Sequence, residues 1–154
     1  MKSARRFLIL LLVALGFAIP ALASPGTARA ASGGAPLLDS SLVQEMLRAS
    51  GITDAARRSA YEATLGSWLV EIHQEIGAKS SPYRKAKKLH QALHARILRH
   101  YEATADGLDT VLDQGVYNCL SASLLYGLLA RAFGLEAQIV QIPSHVYVRV
   151  FFEQ

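Results

Sequence analysis

The stretch that decides the fold of this 154-residue chain runs from residue 117 to residue 152 and reads YNCLSASLLYGLLARAFGLEAQIVQIPSHVYVRVFF. Its first half, from Asn118 to Phe133, is almost entirely apolar, with Arg131 as the only charged residue, and Gly134 follows it. A helix that is apolar on all sides is buried on most of them, and glycine commonly ends a helix. The sequence therefore predicts a buried helix over residues 118–133.

The second half of the stretch has the pattern of two β-strands. They cover Glu136 to Ile142 and His145 to Phe152, and Pro143-Ser144 separates them. In the second segment every other residue from 146 to 152 is apolar, which is typical of a strand with one buried face. We therefore expect a C-terminal antiparallel hairpin.

Upstream of this stretch, the spacing of apolar residues and of capping residues predicts three helices. They are expected over 42–49 behind Asp39-Ser40-Ser41, from a cap at Thr53 or Asp54 to about residue 76 before Gly77, and from Pro82 to about Glu102 behind Ser81. An acidic loop with Asp106, Asp109 and Asp113 follows. Helices first and strands last predict an α+β domain over 39–154, with a helical part over 39–104 and the cysteine-bearing helix and strands over 108–154.

Two residues of the C-terminal stretch could carry chemistry. Cys119, the only cysteine, cannot form an intramolecular disulfide, and it lies in the first turn of the predicted helix. Unpaired N–H groups and the positive end of the helix dipole favour a thiolate there, and the same amides could hold a developing oxyanion. His145 opens the second strand, where it could act as a base or as the cationic partner of the thiolate. The plainer alternatives are a buried core thiol and a surface histidine.

The order of these features resembles the transglutaminase-like superfamily of cysteine hydrolases. The resemblance rests on Tyr117-Asn118-Cys119 followed by Ser121, an apolar helix closed by Gly134, and a strand that begins at His145. It covers roughly residues 108–152. It implies a papain-like fold, Cys119 as nucleophile, His145 as general base and a peptide or protein amide as substrate, with no cofactor and no metal.

The chain departs from the family pattern at the third catalytic group. The family usually places an acid, often Asp, on the strand after the histidine strand, whereas this sequence ends at Gln154. Glu153 lies eight residues beyond His145, roughly 26 Å along an extended strand, and so cannot orient that imidazole. We therefore expect either a fold-back of an acid from the 106–113 loop or a truncated domain. An inactive binding module is the alternative function.

The N-terminus has the organisation of a secretory signal peptide. Residues 1–6 carry three cations, an apolar run extends from Phe7 to Ile19, and Ala21-Leu22-Ala23 is a small-residue cleavage pattern. We expect Sec-type export to the periplasm or beyond, cleavage after Ala23, a flexible leader over 24–38 and no stable membrane insertion afterwards. Without residues 1–23 the chain has 13 cations against 12 acids, so its charge gives no case for nucleic-acid binding.

The third helix, over 82–102, has a basic face and a pair of histidines. Its basic face includes Lys85 and Lys88 and has no acid in the body of the helix, which indicates a solvated surface or a contact with an acidic partner. His90 and His94 have the spacing of metal ligands on a helix, but no nearby carboxylate completes a site. We therefore expect no metal there.

Overall fold

A computed structural model of the chain describes residues 36–152. The predicted signal peptide and most of the predicted leader lie outside this part. Within it the chain forms five helices and four strands. In chain order they are α1 Ser40–Ala49, α2 Ala55–Ile76, α3 Pro82–Arg96, β1 His100–Tyr101, α4 Leu108–Gln114, β2 Val116–Tyr117, α5 Cys119–Ala132, β3 Glu136–Ile142 and β4 His145–Phe151. No helix among the described residues is long and apolar enough to span a membrane.

Aspartates cap the first two helices; α1 begins at Ser40, two residues before the predicted start at residue 42, and α2 begins at Ala55 as expected. The Asp39 side chain accepts a hydrogen bond from the Leu42 N–H, and the Asp54 side chain accepts one from the Arg57 N–H. Each carboxylate thereby satisfies an N–H group that has no partner inside its helix. Arg58, a buried cation on α2, donates to the carbonyls of the α1–α2 connection and fixes the two helices to each other.

The prediction that the third helix reaches about Glu102 is wrong, because α3 ends at Arg96. After Ile97 the chain turns away, and the N–H groups of Arg99 and His100 both donate to the Gly115 carbonyl at 2.8 and 3.2 Å. The residues that follow form β1, which pairs in parallel with β2. The spacing of apolar residues along a helix does not reveal a hydrogen bond to a distant glycine, so this strand pair could not be predicted from that spacing.

Part of the predicted acidic loop is the short helix α4. Leu108 and Val111 are buried on one side of it, and Gly115 ends it with a left-handed φ of 72°. An added Cβ on Gly115 would lie 2.4 Å from the Ile97 carbonyl oxygen, so this site requires glycine. Gly115 therefore ends α4 and also permits the close approach of the α3–β1 connection.

The predicted buried helix and the hairpin are confirmed, and together with the helices they give the expected α+β fold. Leu125 and Leu129 on α5 are almost fully buried in a core to which all five helices contribute. The antiparallel strands β3 and β4 pack against α5. Gly127 lets β3 come close, since a Cβ there would meet Ile139 at 3.3 Å. The β4 strand ends one residue earlier than predicted, at Phe151.

Candidate active site

Cys119 is the first residue of α5, and a hydrogen-bond network around Asn118 fixes its position. The Asn118 side-chain oxygen accepts from the N–H groups of Leu120 and Ser121 at 2.8 and 3.0 Å, and its amide nitrogen donates to the Ala103 carbonyl at 3.0 Å. The fully buried Ser121 hydroxyl accepts from the Asn118 N–H at 3.0 Å and donates to the Ala105 carbonyl at 2.7 Å. The helix end that carries the thiol is therefore tied to the β1–α4 connection.

The same network restricts which amides can serve an oxyanion. The N–H groups of Leu120 and Ser121 are taken by the Asn118 side chain, and the Ala122 N–H donates to the Asn118 carbonyl at 3.1 Å. Within residues 36–152, the Cys119 N–H alone in this first turn has no hydrogen-bond partner. The helix end thus offers one backbone donor to a ligand, fewer than the sequence suggested.

His145 is the first residue of β4 and is exposed. It pairs with Ile142 across the hairpin, immediately after the Pro143-Ser144 turn. Its ring stacks against Tyr147 with a centroid distance of 6.3 Å. The Ser123 hydroxyl on α5 donates to the Val146 carbonyl at 3.3 Å, so the residue next to His145 is fixed to the helix that carries Cys119.

Cys119 and His145 line the same cleft, a cavity of about 460 Å³ bounded by α3, the β1–β2 pair, α5 and the beginning of β4. Cys119 is partly buried in its wall, which leaves the thiol accessible from the cavity. The structure therefore brings together the two residues that the sequence singled out. A thiol and an imidazole that line one cavity are the groups that a cysteine nucleophile and its general base require.

No carboxylate lines this cleft among the residues that the structure describes. The acids proposed as fold-back groups lie elsewhere: Asp113 accepts from Arg57 and from the Tyr61 hydroxyl, both at 2.9 Å, and Asp109 lies 3.9 Å from the same guanidinium. Burial and the hydrogen bond to Asp113 raise the pKa of Tyr61. These two acids hold α4 against α2, and Asp106 is not part of the cleft wall either.

Several cleft residues were not identified from the sequence as site residues. Four tyrosines line the cavity, namely Tyr101, Tyr117, Tyr126 and Tyr147. Tyr101 and Tyr117 come together only because β1 and β2 pair, with ring centroids 5.8 Å apart. Tyr117 directly precedes Asn118-Cys119, and this proximity was the one available sign that it belongs to the site.

His90 and His94 also line the cleft, opposite the residues of α5. Their rings lie 4.5 Å apart. Burial and the neighbouring His90 lower the pKa of His94. Within residues 36–152 no group of three or more His, Cys, Asp or Glu side chains is arranged to hold a metal ion.

Comparison with known proteins places the chain in a family. A family model described as the transglutaminase-like superfamily matches residues 59–154, which is more than half of the chain and includes both Cys119 and His145. No curated protein and no solved structure matched the chain. The region of the match contains the cysteine-bearing helix, the hairpin and the cleft between them. The chain therefore belongs to the transglutaminase-like superfamily.

Proposed function

We propose that this protein is an exported, thiol-dependent hydrolase or acyltransferase that acts on peptide or other amide bonds. The observation that carries the proposal is the single cleft that contains both the Cys119 thiol, at a helix N-terminus, and the His145 imidazole. Membership of the transglutaminase-like superfamily supports the same chemistry.

The cleft residues support a two-step acyl transfer. The Cys119 sulfur, as a thiolate, attacks the amide carbonyl, and the Cys119 N–H donates to the oxygen that becomes negatively charged. The C–N bond then breaks as protonated His145 gives its proton to the departing amine, which leaves a thioester. Water or an acceptor amine attacks that thioester, His145 takes the proton of the attacking group, and the C–S bond breaks to restore the thiolate.

The direct test is the rate of Cys119 alkylation by iodoacetamide as a function of pH. A thiol paired with an imidazolium reacts rapidly near pH 6, where an ordinary thiol, with a pKa of about 8.5, is almost entirely protonated. His145→Ala should abolish the reactivity near pH 6, whereas His100→Ala, at an exposed position outside the cleft, should preserve it. If wild type and His145→Ala react with the same pH profile, the two residues do not form a catalytic pair.

A non-catalytic binding module is the second candidate function, and the absence of a carboxylate from the described cleft wall favours it. In such a module the cavity would hold a peptide without cleaving it. Cys119→Ser would then leave peptide capture unchanged, and wild-type protein would release no product from an amide substrate panel. Product release that disappears in Cys119→Ser would exclude this alternative.

An acidic partner for the basic face of α3 is a further part of the proposal. Two of its cations are already engaged, since Lys88 donates to the Glu75 carbonyl and Arg96 pairs with the Glu75 carboxylate. Arg84 and Lys85 form no ion pair within residues 36–152. Charge reversal at Arg84 and Lys85 should weaken capture of a polyglutamate peptide, with a loss that shrinks as salt increases, and Arg48→Glu on α1 is the control.

Export can be tested by determining the N-terminal residue of the protein that the producing cell secretes. A mature N-terminus at Ser24 would support signal-peptide cleavage after Ala23. A chain that keeps residues 1–23 in the membrane fraction would contradict both cleavage and release.

A further inference from the structure

The cleft has a second group of polar side chains besides the thiol and its imidazole. His90 and His94 lie one turn apart on α3 and both line the cavity. Their rings are 4.5 Å apart, and each has its own aromatic neighbour: Tyr126 of α5 lies 6.4 Å from His90, and Tyr117 of β2 lies 6.0 Å from His94, both edge-on. Both histidines are exposed, and we call their two imidazoles the histidine pair.

The two histidines are exposed, and their ring nitrogens form no hydrogen bond with another residue in the range 36–152. The Tyr126 hydroxyl, for comparison, donates to the Ala86 carbonyl at 3.1 Å and does not bond the histidines. Imidazole nitrogens that face a cavity are therefore available to a ligand.

The electrostatic surroundings of the histidine pair favour a negatively charged ligand. No acid occurs on α3, and no acid lines the cleft among the described residues; the five cations of α3 do not line the cleft either. The titratable groups that share the cavity are Tyr101 from β1, Tyr117 from β2, Cys119 and Tyr126 from α5, and His145 and Tyr147 from β4, and the proposed thiolate of Cys119 is the one anion among them. An anion placed between the two rings would meet no repelling carboxylate, and each imidazole could donate one N–H to it.

We propose that the histidine pair is a carboxylate-binding subsite, so that the cleft takes peptides that present a carboxylate close to the bond on which Cys119 acts. The proposal deepens the function proposed above and rests on it for the role of Cys119, whereas the subsite itself can be tested without catalysis. The carboxylate has two chemical sources, a free C-terminus and an acidic side chain, and the experiment below distinguishes them.

Binding of a carboxylate at this subsite should be accompanied by protonation of His94. Burial and the neighbouring His90 lower the pKa of His94, and a bound carboxylate would raise it again by supplying an opposite charge. Affinity should therefore increase as the pH falls from about 7.5 to about 5.5, by up to about tenfold for each unit by which the ligand raises the pKa of His94. A neutral ligand should show no such dependence.

The experiment measures peptide binding to the Cys119→Ser protein by NMR titration of the imidazole C–H signals at pH 5.5 and 7.5. The probes are acetyl-Ala-Ala with a free C-terminus, the same peptide as its amide, and acetyl-Glu amide. We expect the free acid or the acidic side chain to bind at least about tenfold more tightly at pH 5.5 than at 7.5, and the neutral dipeptide amide to bind weakly at both. His90→Gln and His94→Gln should each remove most of this preference, and His100→Gln, which alters an exposed histidine outside the cleft, should not.

Two outcomes overturn the subsite. One is equal affinity for the charged and the neutral dipeptides, and the other is no binding of either carboxylate probe. Because the thiol is absent from the titrated protein, the result is independent of catalysis. Carboxylate binding together with an unreactive Cys119 in the wild type would favour the binding module, and a reactive Cys119 without carboxylate binding would leave the proposed hydrolase with a different substrate class.

Discussion

The substitution Asn118→Ala should destabilise the protein more than removal of an ordinary helix cap, because one side chain makes three hydrogen bonds around the reactive cysteine. Its oxygen accepts from two N–H groups of α5 and its nitrogen donates to the Ala103 carbonyl. Loss of a cap costs about 1 kcal/mol, and loss of a further, partly buried hydrogen bond about 0.5–1.5 kcal/mol. Asn118 is only 7% exposed, so water replaces these bonds poorly, and we expect a total of about 2–4 kcal/mol.

The measurement is urea denaturation followed through the fluorescence of Trp68, the only tryptophan, which packs against the core. Asp54→Ala is the matched control, because Asp54 caps α2 at an exposed position through a bond to the Arg57 N–H, and its loss should cost about 1 kcal/mol. Asn118→Ser keeps a capping oxygen but loses the bond to Ala103, and its cost should lie between those of the two alanine variants.

Equal effects of Asn118→Ala and Asp54→Ala on the free energy of unfolding would show that Asn118 stabilises the fold no more than an ordinary helix cap does. An equal loss of unfolding free energy in Asn118→Ser and Asn118→Ala would also contradict the prediction, because the capping oxygen that serine keeps would then add no stability of its own. A destabilised Asn118→Ala protein should in addition lose the Cys119 reactivity near pH 6 that the proposed function requires.

Three further outcomes follow from the geometry. Gly115→Ala should cost about 2 kcal/mol or more in urea denaturation, because it combines a positive φ with a Cβ 2.4 Å from the Ile97 carbonyl oxygen; a smaller loss would mean that the α3–β1 connection yields easily. Ser144→Gly should stabilise the protein by about 0.5 kcal/mol, because Ser144 has a φ of 67° that glycine adopts without strain; a lower urea midpoint would contradict this. Because the folded protein lowers the pKa of His94, stability from this group is present above about pH 6.5 and declines as the pH falls toward its folded value. The urea midpoint of His94→Gln should therefore change less between pH 7.5 and 5.5 than that of the wild type, and equal pH dependence would refute the assignment.

The parts of the fold that the sequence predicted are those specified by neighbouring residues. Asp39, Asp54 and Ser81 cap the helices that follow them, and the alternation after His145 produced a hairpin with the expected strands. In each case the deciding contact spans only a few residues, so it is visible as a local pattern.

The parts that the sequence did not predict depend on contacts between distant segments. The Gly115 carbonyl stops the α3 helical pattern by accepting from Arg99 and His100, and Tyr117 becomes a neighbour of Tyr101 only through the resulting strand pair. His90 and His94 could be recognised as a pair from their spacing, but that they face the cleft depends on how α3 packs against α5. Tertiary packing therefore decided which of these residues belong to the site.

The start of α5 was predicted correctly, but the number of N–H groups that it offers to an oxyanion was overestimated. A cysteine at the beginning of a helix suggests several N–H groups available to a substrate oxygen. The residue that defines this helix end, Asn118, uses two of those groups itself, and its carbonyl takes a third. A strong cap and an anion site compete for the same amides, so the rigidity that fixes the thiol leaves only the Cys119 N–H for an oxyanion. Any additional stabilisation of a developing charge must therefore come from side chains of the cleft wall and not from the helix end.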